Sequence, residues 1–523
     1  MSEVNENTNN ASSGRKLAAS AALMGIIILV SKILGLVRDM LTASAFGMTE
    51  AGVAYEVASK LPLYIFDFIL GGVVTSAFIP IYNSVAIKKS KKEALKFTQS
   101  YLNLIILITT SIAVIGIAFA PWLVSLTAPD ISSDVAALAV NLTRIMFPMV
   151  IFVGIAFSFV GFLQSEGEYN IPALISLVSN LIMVAYLLFL SDKFGVYGLS
   201  IAMLVGWGAQ AAVQIPSVIK KGFKYELKTP LNTPEIKRAA LSTLPILIST
   251  WATPVCNLIN TRIASGIEEG RAITALGYAN RLYLIIVGLF SFVATNLLFP
   301  YFAKATASGN YEESDRLTRT SIKTLVFIIA PISAGVGVLS EPFVKLIYEK
   351  GVFTSESTAI TAEALRFYSV GMVFAAVSEV LTKAFFAAEK MKYPMIASIC
   401  SIGVNVILVA IFGTKLGIWG IALVASIAIG VNMLINLLMA LKQKLISPVA
   451  ADAVDLLKSI LAAAVMGVAV GFLSPVLPLT GIANFAVSVV IGIIVYALAV
   501  TILQSDEIKM VFGFLRKRKG KND

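Results

Sequence analysis

The chain reads as fourteen apolar runs, most of roughly 20 residues or more, separated by short polar stretches. A helix of that length crosses a hydrocarbon layer about 30 Å thick. The runs cover 17–45, 53–83, 95–126, 135–164, 171–191, 196–219, 239–264, 271–303, 320–340, 359–388, 394–413, 418–441, 459–473 and 482–503. Basic residues fall unevenly between them. Only Lys193, Arg271, Lys345, Lys350 and Lys415 lie in loops on one side, whereas the N-terminal side carries clusters such as Lys88-Lys89-Ser90-Lys91-Lys92 and Arg516-Lys517-Arg518-Lys519. Cytoplasmic loops are the basic ones, so both termini are predicted to be cytoplasmic, as an even number of spans requires. The clusters are read as topology signals touching anionic membrane lipids, and nucleic acid is not an expected partner.

An internal repeat with an offset near 222 organises the spans. Arg144 corresponds to Arg366, Pro172 to Pro394, and Lys193-Phe194-Gly195-Val196-Tyr197-Gly198 to Lys415-Leu416-Gly417-Ile418-Trp419-Gly420. Lys60-Leu61 matches Arg281-Leu282 with a small shift. Six spans per repeat is an even number, so the halves run in the same direction and are expected to be related by an axis along the membrane normal, with substrate between them. The predicted fold is an all-α polytopic membrane protein: two six-helix lobes related by a parallel repeat, plus two extra C-terminal helices. Its segments are a disordered cytoplasmic tail (1–14), a first lobe (15–222), a cytoplasmic linker (223–238), a second lobe (239–444), spans thirteen and fourteen (445–505) and a basic cytoplasmic tail (506–523). The first 14 residues lack an apolar core and a small-residue cleavage site, so the first span is expected to double as the insertion signal. Spans thirteen and fourteen hold no charged residue between Ser459 and Ser505, which suits contact with lipid or a lipid-like ligand.

Composition agrees and removes several chemistries. A mean hydropathy of +0.87 with 14% charged residues is incompatible with a water-soluble surface. Histidine is absent, which excludes imidazole acid–base chemistry and the Ser-His-Asp arrangement. Cys256 and Cys400 are far apart within apolar runs, so neither a disulfide framework nor a zinc cluster is indicated. The one Gly-Lys pair, Gly520-Lys521, is followed by Asn522, so no phosphate-binding loop is present. No enzymatic activity, metal or cofactor is expected, and the chain is expected to act as a monomer.

Charge inside the spans carries the functional signal. Eight cations lie there, Lys32, Arg38, Lys60, Arg144, Arg262, Arg281, Arg366 and Lys383, against five acids, Asp39, Glu56, Asp67, Glu363 and Glu379. Each cation at the bilayer centre costs roughly 2.5–3.5 kcal/mol on insertion scales, so a surplus implies an anion supplied from outside the chain. Glu56, Lys60 and Asp67 fall within a stripe about 40° wide on the second span, making one of its faces polar. Lys32 and Asp39 are seven apart and share a face of the first span, while Gly35 lies angularly between Lys32 and Arg38 and permits close approach. Glu56 with Lys60 and Glu379 with Lys383 have i,i+4 spacing and can neutralise each other within a helix, which is the reading taken for the second pair. Arg144, Arg262 and Arg366 are read as snorkelling from helix ends. Lys32, Arg38 and Arg281, with Lys60, are read as a receptor for phosphate or pyrophosphate, whose oxygens suit guanidinium forks. Asp39 is the expected partner of an arginine when the site is empty.

At Ser31-Lys32-Ile33-Leu34-Gly35-Leu36-Val37-Arg38-Asp39 and Ala45-Phe46-Gly47 the chain resembles the MurJ (MviN) family of lipid II flippases, in the multidrug/oligosaccharidyl-lipid/polysaccharide exporter superfamily. The likeness continues at Lys60-Leu61-Pro62, Tyr278-Ala279-Asn280-Arg281-Leu282, 300–310, Glu349-Lys350-Gly351-Val352-Phe353 and Thr361-Ala362-Glu363-Ala364-Leu365. The resemblance implies an alternating-access carrier of an anionic polyprenyl-pyrophosphate glycolipid in the bacterial plasma membrane, moving the peptidoglycan precursor outward. The alternative cargo is another polyprenyl-linked glycan, such as an O-antigen, teichoic acid or capsule unit. Family cavity residues carry over onto Arg38, Asp39, Lys60 and Arg281, with Asn180 a further match in the fifth span. Lys32 stands where the family has arginine. The seventh and eleventh spans lack the acids some members use for sodium, so coupling to membrane potential is the expectation.

Overall fold

The computed structural model describes residues 2–70, 78–240, 251–293 and 299–505. The start of the seventh predicted span, 241–250, and the basic tail 506–523 lie outside the described residues. Every named element is helical, with no strand among the described residues. That follows from burial in a bilayer, where the backbone must satisfy its own hydrogen bonds. The chain divides into two compact units, Met1–Pro254 and Val255–Asp523.

The first unit contains α1 (Ser2–Ala45), α2 (Glu50–Leu70), α3 (Ile79–Lys88), α4 (Lys91–Ala118), α5 (Ala120–Thr127), α6 (Ser133–Met146), α7 (Met149–Ser165), α8 (Asn170–Phe189), α9 (Ser191–Ala212) and α10 (Ile215–Lys220). The backbone of α1 is helical from Ser2, so residues 2–14 continue the helix where the sequence predicts an irregular tail; extending an existing helix needs no new nucleus. Ser90 and Ser132 cap α4 and α6 by accepting from the Glu93 and Val135 amides. α1 packs on α8, α2 on α6, and α4 on α7. Aromatic side chains dominate the core: Phe78 lies 4.8 Å from Tyr101 and 5.4 Å from Phe97, and Phe162 meets both Tyr82 and Phe223. Such pairs add about 0.5–1.5 kcal/mol each beyond area burial.

The second unit contains α11 (Ala252–Ala264), which straddles the division, α12 (Arg271–Val293), α13 (Phe299–Ala307), α14 (Tyr311–Val338), α15 (Ser340–Tyr348), α16 (Ser355–Ala387), α17 (Lys392–Lys442), α18 (Ala450–Leu473) and α19 (Gly481–Ile502). α16 packs on α17, α14 and α12, and α18 packs on α14 and α19. Among the described residues, nine stretches are long and apolar enough to cross a membrane. They account for the third to sixth and ninth to fourteenth predicted spans, because the 51-residue α17 holds two spans in one stretch. Gly417, at φ 69° and ψ −150°, breaks it where the sequence places a loop. That conformation is nearly restricted to glycine. The charged first, second, seventh and eighth spans are helical where described but are not among the nine.

Left-handed backbone positions recur with the repeat. Gly47, Gly167, Gly195 and Gly222 have positive φ, and so do Glu269, Glu389, Gly417 and Lys444, each 222 residues further on. Gly195 and Gly417 share nearly the same angles. Gly167, Gly222, Glu389 and Lys444 each lie two residues past a helix C-terminus, the site where glycine most often closes a helix. The second unit therefore keeps the turn geometry after losing the glycine. Glu389→Gly should stabilise the protein by about 1 kcal/mol, the cost of a left-handed L-residue, whereas Glu389→Ala should not; thermal unfolding in detergent compares them.

A polar clasp closes the basic end of the first unit. Glu166 accepts from Tyr82 Oη at 2.6 Å and Lys91 Nζ at 2.7 Å, and its backbone carbonyl accepts from Lys221 Nζ at 3.0 Å. Burial pushes the Glu166 carboxyl up, but the Lys91 and Tyr82 hydrogen bonds and the charges of Lys91 and Lys221 outweigh it and hold the carboxyl below its ordinary range. A depressed acid contributes stability above its unfolded value and loses it as pH falls through the folded one. Thermal stability should decline as pH drops below about 4, and the decline should be shallower in Glu166→Gln.

Candidate functional site

In the first unit, the guanidinium of Arg38 is held on two sides. Its Nε and Nη2 donate to Asp39 Oδ1 at 3.1 and 2.8 Å, and Nη1 donates to Asn180 Oδ1 at 2.9 Å. Asn180, on α8, is itself fixed, because its Nδ2 donates to the Ser31 carbonyl at 3.1 Å. The carboxamide therefore cannot flip without losing both bonds. Gly35 faces this amide: a Cβ there would lie 3.4 Å from Asn180 Nδ2, at van der Waals contact. The close approach expected at Gly35 is thus filled by a side chain of the neighbouring helix. Asp39 and Asn180 are buried, while Arg38 keeps about a third of its side chain exposed at 31%. The fork is pre-aimed and still reachable.

On α2, Lys60 Nζ lies 2.7 Å from Glu56 Oε1; Glu56 is buried and Lys60 is partly exposed. Asp67, two turns further along, is exposed. The polar stripe predicted for this helix therefore runs from a buried pair to an open carboxylate. Lys32 is exposed and makes no ion pair or hydrogen bond among the described residues, although Asp39, seven residues on, is buried. The face they share is covered at one end only.

In the second unit, the guanidinium of Arg281 sits 5.0 Å from the centre of the Tyr278 ring, within cation–π range. Tyr278 is 4.9 Å from Tyr348 and 5.5 Å from Phe353, so the platform under the arginine is a buried aromatic trio. The i,i+3 spacing of Tyr278 and Arg281 was the available signal for this platform, which the charge pattern alone does not reveal. Lys383 lies 3.4 Å from Glu379, the neutralising pair expected from sequence. Arg144 and Arg366 are exposed and make no ion pair among the described residues, and Arg262 is exposed as well.

A sequence model of the family described as Lipid II flippase MurJ matches residues 42–505. The chain belongs to the lipid II flippase MurJ family. A lipid II flippase MurJ of Thermosipho africanus is 30% identical over 503 residues, covering 95% of this chain and 99% of that protein. A probable lipid II flippase MurJ of Rhizobium meliloti is 29% identical over 427 residues, 80% of this chain and 79% of its own length. Among solved structures, an inward closed conformation of lipid II flippase MurJ matches with TM-score 0.80 and 27% identity, covering 93% of this chain and all of that one. An inward-facing multidrug resistance MATE family transporter of the MOP superfamily matches with TM-score 0.66 at 16% identity, covering 81% of this chain and 98% of that one, a likeness of fold alone. For this MurJ family member the Arg38 arrangement makes a direct demand on α8. Asn180→Ala leaves Arg38 and the Ser31 carbonyl each short of a partner. It should cost roughly 1–3 kcal/mol in detergent unfolding, with protein still reaching the membrane.

Proposed function

We propose that this protein carries lipid II, the pyrophosphate-linked peptidoglycan precursor, from the inner to the outer leaflet of the bacterial plasma membrane by alternating access. Family membership and the near-complete coverage of flippase relatives support that cargo. The carrying observation in the chain itself is Arg38, gripped by a carboxylate and a neutral amide with about a third of its side chain exposed. Asp39 balances the charge of the guanidinium and the neutral acceptor at Asn180 completes its orientation. Pyrophosphate oxygens then offer bidentate acceptors that replace water on the open face.

In this reading Arg38 binds pyrophosphate in the first unit, with Lys32 and Lys60 assisting, and Arg281 is the cargo-binding cation of the second unit; Asp39 and Glu56 hold the cations of the first unit in place when the cargo is absent. The full complement of fourteen spans with both termini cytoplasmic belongs to the same proposal. The prenyl tail has a matching receptor in the second unit: an apolar cavity of about 470 Å³ between α14, α15, α18 and α19, lined by residues including Phe327, Leu339, Phe343, Met466, Phe485 and Tyr496. The cargo head is negative, so an inside-negative potential favours its outward movement by about 2.3 kcal/mol per charge per 100 mV.

Replacing Arg38 or Arg281 by alanine should abolish rescue of cells depleted of their lipid II flippase while the variant remains in the membrane at normal level. Arg38→Lys keeps the charge and loses the fork; its affinity for lipid II should fall roughly ten- to hundred-fold, the worth of one charge-assisted hydrogen bond. Full rescue by both alanine variants contradicts the assignment.

A further inference from the structure

The segment joining α10 to the 234–240 helix is irregular in secondary structure yet firmly held. Its backbone is gripped from α4: Gln99 Nε2 donates to the Lys224 carbonyl, and Asn103 Nδ2 donates to the carbonyls of Glu226 and Leu227 at 2.9 and 3.2 Å and to Thr229 Oγ1 at 2.8 Å. Phe223 pins its start, 5% exposed against Phe162 and Phe159. With carbonyls and Phe223 turned inward, the strap presents other side chains outward. Tyr225 is 52% exposed and Leu227 76% exposed, in a stretch too polar to be a membrane span. Lys220, Lys224 and Lys228, also exposed, flank them.

Depth decides what these side chains meet. Within the third run, 95–126, residues 96–103 still carry Lys96, Thr98, Gln99, Ser100 and Asn103 and mainly apolar sequence starts at Leu104, which places the strap held by Gln99 and Asn103 near the edge of the hydrocarbon layer. Ile219, 61% exposed at the end of α10, adds an apolar side chain four residues before Phe223. A tyrosine and a leucine among lysines at that depth match the composition of an interfacial anchor.

We propose that the strap 222–230 is a membrane-interface anchor for the inner leaflet: Tyr225 and Leu227 enter the boundary between head groups and acyl chains, and Lys220, Lys224 and Lys228 bind the head groups of anionic phospholipids. A basic segment at the cytoplasmic surface is attracted by anionic lipid over about a Debye length, which fits three lysines and one intervening acid, Glu226. The fixed backbone matters, because the strap is ordered before lipid arrives and no backbone entropy is lost on contact. This surface is separate from the cationic residues assigned to cargo, and its test does not involve lipid II.

Spin labels on Tyr225→Cys and Leu227→Cys, each in a Cys256→Ser, Cys400→Ser background, read depth directly in vesicles of phosphatidylethanolamine and phosphatidylglycerol. Both labels should be more accessible to oxygen than to a water-soluble nickel chelate, and a label on Asn232→Cys should show the reverse. Nickel accessibility at 225 and 227 equal to that at 232 overturns the anchor and points to a soluble partner or open water instead. Native mass spectrometry of phosphatidylglycerol retained by the intact protein tests the charge. Lys224→Gln and Lys228→Gln should each lower retention about five-fold, and unchanged retention in the double variant overturns the head-group role.

Discussion

A half-buried arginine fork must be satisfied, and at Arg38 the chain does this with one full charge and one dipole. Asp39 alone would neutralise the guanidinium and leave a tight internal pair with little to offer a ligand. Asn180 alone would leave a bare cation at a cost of several kcal/mol. Together they fix the direction of the fork: Asp39 balances its charge and Asn180 takes an Nη1 N–H, a donor set that in our proposal is shared with an incoming phosphate. Because Asn180 also holds the Ser31 carbonyl, the position of α8 against α1 and the aim of the arginine are one structural fact.

The cations of the second unit are handled by other means. Arg281 rests on the face of Tyr278, whose ring is locked by Tyr348 and Phe353, so an aromatic quadrupole takes part of the role that Asp39 has for Arg38. A π-face stabilises a cation without removing its charge. Lys383, by contrast, is paired with Glu379 one turn away and is better suited to holding α16 together than to meeting cargo. Arg38 and Lys383 are thus each balanced by a carboxylate on their own helix, and Arg281 rests on an aromatic face.

Much of the fold was legible because its signals are local. Runs of apolar residues give helices, the loop at Gly417 shows as a glycine in a repeated motif, and an i,i+4 Glu–Lys pair such as Glu379–Lys383 is readable from spacing alone. What was not legible depends on neighbours distant in sequence. Asn180 stands out in the sequence only through the family resemblance; its bonds to Arg38 and the Ser31 carbonyl appear only when α1 is laid against α8. Glu269, Glu389 and Lys444 gave no turn signal because glycine is absent, and only the repeat partners Gly47, Gly167 and Gly222 betray the geometry. The strap at 222–230 reads as part of a basic, proline-containing cytoplasmic link open to an interfacial helix, and its irregular conformation is hidden because Gln99 and Asn103, more than a hundred residues earlier, impose it.

The most direct measurement is native mass spectrometry of the lipid that co-purifies with the intact protein from bacterial membranes. The expected species is a polyprenyl pyrophosphate bearing the disaccharide pentapeptide, released when the fork at Arg38 is removed. Recovery of a different polyprenyl-linked glycan, or of phospholipid alone, would contradict a cationic receptor built for lipid II.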